Sequence, residues 1–308
     1  MRATVLPQYG EPERLVVAEL PAPAPAPGQI LVRTAASAVN PVDLAVRSGS
    51  AAEYVKLPFP MVLGWDLSGV VEALGEGVTR FAVGDRVVAM SAQMATGIGT
   101  HAELVALDAA IAAPAPRGAD LVHAAALPLA GLTADQALEV LGAESGSSLL
   151  VTGAVGAVGG FAVQLAAARG IRVTALVRPG DEELARSLGA SEVLTSDEPL
   201  PRGTVDALFE TAGYAGAVAA VRDGGRAVSI VPAAAPEAER GIEVKMSFVE
   251  QDGERLAKLS GLVEAGTLTL RVADVLDFAD AALAHKRLAA GGTRGKLLLA
   301  PLPPAAAN

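Results

Sequence analysis

No cysteine occurs in the 308 residues, which excludes disulfides and thiolate metal sites and leaves nothing to mark an oxidising compartment. Histidine is scarce as well. His101, His123 and His285 stand far apart, without H-x-x-x-H or H-E-x-x-H spacing, so neither zinc nor a Ser–His–Asp hydrolase is supported. Basic residues are outnumbered, 24 lysines and arginines against 34 aspartates and glutamates. The net charge of −10 argues against nucleic acid or an anionic membrane surface as the main partner. The N-terminal segment MRATVLPQYG has no basic-then-apolar leader pattern and points to a cytoplasmic protein. With 51% apolar and 19% charged residues, the composition is that of a globular protein long enough for about two domains.

What is present is concentrated in residues 149–178, LLVTGAVGAVGGFAVQLAAARGIRVTALVR: an apolar strand, a glycine turn, a helix, a second strand and an arginine. The turn, Gly153-Ala154-Val155-Gly156-Ala157-Val158-Gly159, approaches the fingerprint G-x-G-x-x-G with Ala154 in the first glycine position. Glycine there lets a pyrophosphate reach the backbone N–H groups of a helix N-terminus. Arg178 follows Gly156 by 22 residues, where an NAD-binding protein carries an acidic residue for the ribose 2′-OH. An arginine suits the 2′-phosphate of NADP; a solvated surface arginine is the alternative. Residues 149–168 carry no charge and contain a GxxxG step, so a membrane helix must also be weighed. Gln164 in its middle, and the strand and helix signals on both sides, argue against it.

Residues 4–6, 14–19, 30–37, 68–74, 86–90 and 101–106 read as short strands separated by turn residues, which suggests a small, irregular β-barrel. From about residue 120 the pattern changes. Helical segments span 120–141, with Pro128 near a helix start. Strand 148–151, helix 157–169, strand 172–177, helix 181–188 and strands 205–210 and 226–231 follow. Such alternation predicts a parallel sheet with helices on both faces. A helix at 254–265, a strand near 268–272, a helix at 278–290 and a last strand at 296–299 complete the chain. In a doubly wound sheet the ligand lies at the carboxyl ends of the strands, where Glu210-Thr-Ala-Gly213 and Ser229-Ile230-Val231 stop. Gly213 would let backbone approach a ribose or nicotinamide, and Ser229, Ile230 and Val231 could hold a carboxamide; ordinary strand-end turns are the alternative. Asn40-Pro-Val-Asp43 reads as an Asx–Pro turn, and Gly64-Trp65-Asp66 as the start of a strand.

Seven segments in order carry a family resemblance: Ser37-Ala-Val-Asn-Pro-Val-Asp43, Pro60-Met-Val-Leu-Gly-Trp-Asp66, Gly69-Val-Val-Glu-Ala-Leu-Gly75, Val83-Gly-Asp-Arg-Val87, Ala124-Ala-Ala-Leu-Pro-Leu-Ala-Gly-Leu-Thr-Ala134, the turn at 153–159, and Thr293-Arg-Gly-Lys296. The chain resembles a zinc-free medium-chain dehydrogenase/reductase of the quinone oxidoreductase-like group. The resemblance implies a GroES-like β-barrel catalytic domain, here 1–118 and 248–308, and a doubly wound Rossmann domain over 119–247. It implies NADPH as cofactor, a quinone, enone or other activated alkene as substrate, and a homodimer. Zinc-dependent relatives place a cysteine where Asn40 stands and a histidine where Trp65 stands, so no metal is expected. By match, Asn40 and Asp43 belong to the substrate side, with Asn40 also bordering the nicotinamide, and Thr133 contacts the cofactor. Tyr54 is the nearest candidate proton donor, with water as its competitor. Asp135 departs from the aromatic residue common in the group. A non-catalytic NADPH-binding redox sensor or structural protein on the same fold is the alternative function.

Overall fold

The computed structural model describes residues 1–54 and 57–301, which divide into two compact units. The first comprises Met1–Leu129, Gln251–Glu264 and Leu270–Asn308, and the second Ala130–Glu250 and Ala265–Thr269.

The first unit is built on antiparallel strands whose alternating apolar residues face inward. Its longest strand, Gln29–Val39, pairs with Asp66–Leu74, Leu104–Asp108 and Lys296–Ala300. Ile30, Val32, Leu67, Val87, Ala89, Val105 and Leu107 form one buried cluster inside this sheet. The final strand, Lys296–Ala300, is buried along its whole length and also pairs in parallel with Val272–Asp277. The strand expected near 268–272 thus begins four residues later. The apolar run is shared: Leu268 is buried and the Thr269 N–H donates to Gln164 Oε1 at 2.8 Å within the second unit, so ladder pairing starts at Val272. The segment read as a turn at 40–43 opens a helix, Pro41–Ser48. Asn-Pro suits both outcomes, because proline's fixed φ also fits the first position of a helix.

The second unit is a six-stranded parallel sheet in the spatial order Glu192–Thr195, Arg172–Val177, Ser148–Thr152, Val205–Glu210, Val221–Ser229, Glu243–Met246. Two of these strands, at 192–195 and 243–246, are too short to stand out in the sequence. The helix after the glycine turn runs Ala157–Ala168 and stops as Gly170 turns at φ +75. Its Gln164 is nearly buried, with Nε2 bonded to the Gly160 carbonyl at 3.0 Å. Among the described residues no helix is long and apolar enough to cross a membrane.

Candidate active site

In the second unit the strand order reverses between Ser148–Thr152 and Val205–Glu210. In open α/β sheets ligands gather at the carboxyl ends beside such a reversal. The glycine turn occupies that position. Gly153 leaves the strand at φ +55, a left-handed conformation, and a Cβ there would lie 2.9 Å from Ala212 Cβ. A Cβ on Gly159 would lie 2.2 Å from the Gly153 carbonyl oxygen. Backbone therefore packs on backbone, with Ala154 and Val155 buried beneath the turn and Gly156, Ala157 and Val158 partly exposed at the helix end. First-turn amides lack intrahelical acceptors and carry the positive end of the helix dipole. A cradle that a single Cβ would fill fits the pyrophosphate of a dinucleotide.

Arg178 directly follows the neighbouring strand, Arg172–Val177, and is exposed. Beyond the reversal, Gly213 is exposed at φ +77, Ser229 is buried, and Ile230 and Val231 are partly exposed. Thr133, on the helix Pro128–Leu141, is nearly buried. Asp135 on the same helix pairs with Arg169. A residue named above only as the stop of its strand joins the strand ends. Glu210 is fully buried, and its Oε1 accepts from Thr152 Oγ1, Ala212 N and Tyr214 N, each at 2.9 Å.

The first unit holds a second polar cluster. Asn40, Asp43, Asp66 and Lys296 are all buried. The Asn40 amide donates to the Ala38 carbonyl at 3.1 Å and to Asp66 Oδ2 at 2.9 Å, while its oxygen accepts from Lys296 Nζ. Lys296 also meets Asp66 Oδ2 at 3.0 Å, and Asp66 Oδ1 accepts the Leu129 N–H at 2.6 Å. Asp43 accepts the N–H of Asn40 at 2.8 Å and that of Gly64 at 3.0 Å. Asn40 and Asp43 therefore spend their polar atoms inside the protein, fixing the entry to the helix at 41–48. Burial pushes the Asp43 carboxyl up to about 7, against the opposing pull of these two N–H groups and Lys296. His101, bonded through Nδ1 to Ser37 Oγ at 2.8 Å, is lowered to about 3, chiefly by burial and further by His285 and Lys296. Burial, reinforced by Arg47, lowers His285 to about 4. Tyr54 lies on the turn after this helix and is 75% exposed.

Two family models match the chain: the alcohol dehydrogenase GroES-like domain over residues 26–117 and the zinc-binding dehydrogenase domain over 188–299. The NADPH-dependent alkenal/one oxidoreductase of Arabidopsis thaliana is 31% identical over 321 residues, spanning 98% of this chain and 80% of the relative. The quinone oxidoreductase of Pseudomonas aeruginosa is 31% identical over 328 residues, spanning 95% of this chain and 97% of the relative. The chain belongs to the medium-chain dehydrogenase/reductase family. A solved quinone oxidoreductase from Coxiella burnetii shares its fold with a TM-score of 0.90, at 27% identity over 97% of this chain and 99% of that one.

Zinc is implied by one family description, and the residues of this dehydrogenase/reductase do not fit it. The chain has no cysteine, and the Asn40 amide already holds an ammonium group. Among the described residues no group of three or more histidines or carboxylates could hold a metal ion. Asp66 and Lys296, named above only within a strand start and matching segments, are further site residues that carry no assigned role in the sequence reading. A charge within the buried run of a strand is their one local signal, and they meet across 230 positions.

Proposed function

We propose that this protein is an NADPH-dependent, metal-independent reductase of a quinone or an α,β-unsaturated carbonyl compound. The observation that carries this is the glycine turn at 153–159 on the sheet reversal, where a Cβ at Gly153 or Gly159 would collide with its neighbours, with Arg178 exposed just after the next strand. The alkenal/one and quinone activities named for the relatives support the choice of acceptor. Bound NADPH would supply the hydride. With a proton added as well, that hydride would reduce the conjugated system to the saturated carbonyl compound or the hydroquinone. An already polarised acceptor of this kind needs orientation and one hydrogen bond more than it needs a Lewis acid.

The chain's own residues divide the remaining work. The turn and the first helical amides hold the pyrophosphate, and Arg178 holds the 2′-phosphate. Gly213, Ser229, Ile230, Val231 and Thr133 border the nicotinamide half. Asn40 and Asp43 shape the substrate side, and Tyr54 delivers the proton. The working form is a cytoplasmic homodimer.

The test is the loss of reduced-nicotinamide absorbance with a panel of quinones and enones. Turnover with NADPH supports the assignment, whereas tight cofactor binding without turnover on any acceptor favours the redox-sensor alternative. Arg178→Ala should lower the NADPH-over-NADH preference roughly 10–100-fold in kcat/KM, as expected for one charge-assisted phosphate contact. An unchanged preference would place the 2′-phosphate elsewhere. Tyr54→Phe should slow enone reduction by roughly 100-fold or more if the phenol is the proton donor; an unchanged rate assigns the proton to water.

A further inference from the structure

Glu210 is a carboxylate sealed from solvent at the end of a central strand, a costly placement unless its oxygens are satisfied. Four donors satisfy them. Thr152 Oγ1, Ala212 N and Tyr214 N converge on Oε1, and Ser229 Oγ donates to Oε2 at 3.3 Å. These donors come from three adjacent strand ends, those of 148–152, 205–210 and 221–229. Secondary bonds extend the clamp. Thr211 donates its N–H to Thr152 Oγ1 at 2.8 Å and its hydroxyl to the Thr152 carbonyl at 2.7 Å. Val231 N donates to Ser229 Oγ at 3.1 Å, and Ile230 N to the Glu210 carbonyl at 3.2 Å. The clamped segments are the ones that carry Gly213 and Ser229–Val231.

We infer that Glu210 is a positioning residue for the nicotinamide half of the cofactor, an inference that rests on the NADPH assignment above. The sheet order separates the two halves. Arg178 directly follows a strand on one side of 148–152, and Glu210 and Ser229 end strands on the other. From the Arg178 strand to the Ser229 strand is three inter-strand steps, roughly 14 Å, the span of an extended dinucleotide. Loosening the clamp therefore releases the surface under the nicotinamide while the adenosine end keeps its partners. Small displacements at a reacting centre are costly in rate.

The test compares the wild type with Glu210→Ala and Glu210→Gln, using 2′,5′-ADP as a probe of the adenosine half. Calorimetric affinity for 2′,5′-ADP and for NADPH, and single-turnover hydride transfer to the best quinone or enone of the panel, are the readouts. The amide oxygen of glutamine can keep the three donors that meet on Oε1. Glu210→Gln should then retain hydride transfer within about threefold, while Glu210→Ala loses about 30–100-fold. Both should bind 2′,5′-ADP within about threefold of wild type, at the level of a uniform small change. If Glu210→Ala does not fold, Glu210→Asp, which withdraws the carboxylate by one methylene, carries the same comparison. Parallel loss of 2′,5′-ADP and NADPH affinity, or unimpaired hydride transfer in the alanine or aspartate variant, overturns the inference. A wild type that binds neither probe overturns the NADPH assignment itself, and the inference with it.

Discussion

Gly159→Ala is expected to weaken cofactor binding severely and to lower the melting temperature. The added methyl would sit 2.2 Å from the Gly153 oxygen, 2.8 Å from its carbonyl carbon and 3.0 Å from Ala154 Cα. All three are backbone atoms, and Gly153 is already committed to φ +55 by the turn it makes. No side-chain rotation relieves the clash, so the helix must move off the strand or the turn must open. Overpacking of this kind costs about 3 kcal/mol, or roughly 5–10 °C in Tm for a chain of this size. Either movement also carries the first-turn amides away from the pyrophosphate, so NADPH affinity should fall by roughly 100-fold or more, the worth of about 3 kcal/mol. Gly261→Ala is the control. It lies inside the helix Gly253–Glu264 with open space around its Cβ position, and should stabilise the protein by about 0.5–1 kcal/mol. Thermal melts and fluorescence titration of NADPH check both variants. An alanine at 159 with wild-type affinity would mean that the turn is not the cradle.

Lys296→Met should be nearly as damaging, for an electrostatic reason. The ammonium is the shared partner of Asp66 Oδ2 and the Asn40 oxygen, in a site where all these side chains are buried. Methionine keeps the aliphatic volume and removes the charge, which leaves the aspartate facing a dry interior. Breaking one side of a buried ion pair costs about 3–5 kcal/mol. Adding Asp66→Asn to Lys296→Met removes the stranded charge while keeping an oxygen for the Leu129 N–H. The double variant should therefore recover about 1–3 kcal/mol relative to the sum of the single changes. Denaturant melts of the four proteins measure that coupling, and strict additivity would show that the two groups do not act as a pair.

Much of this arrangement is legible in the sequence, and the parts that are not share a cause. The glycine turn, the strands at 172–177 and 205–210 and the helix start at Pro128 are local signals, carried by period, apolar runs and chain-stopping residues. Asn40-Pro41 was ambiguous because the same dipeptide serves a turn and a helix start, and the helix behind it has only eight residues. The strand near 268–272 was misplaced because Leu268 is apolar for packing within the second unit rather than for a ladder. Glu210, Asp66 and Lys296 gain their meaning from partners 58, 26 and 230 positions away. No local pattern announces a pairing of that range, although a charged residue in an otherwise apolar strand raises the question of what neutralises it.

The closing strand Lys296–Ala300 has a consequence for how the chain is made. During synthesis residues 130–250 emerge complete and can form their parallel sheet, while the strand at 29–39 still lacks its partner over residues 37–39. That edge, and the Asp66 carboxylate behind it, must wait until Lys296–Ala300 has left the ribosome. The unit that holds residues 1–129 is thus begun before the parallel sheet and completed after it, and a chain cut short anywhere between that sheet and Lys296 leaves it with an open edge and an uncompensated charge.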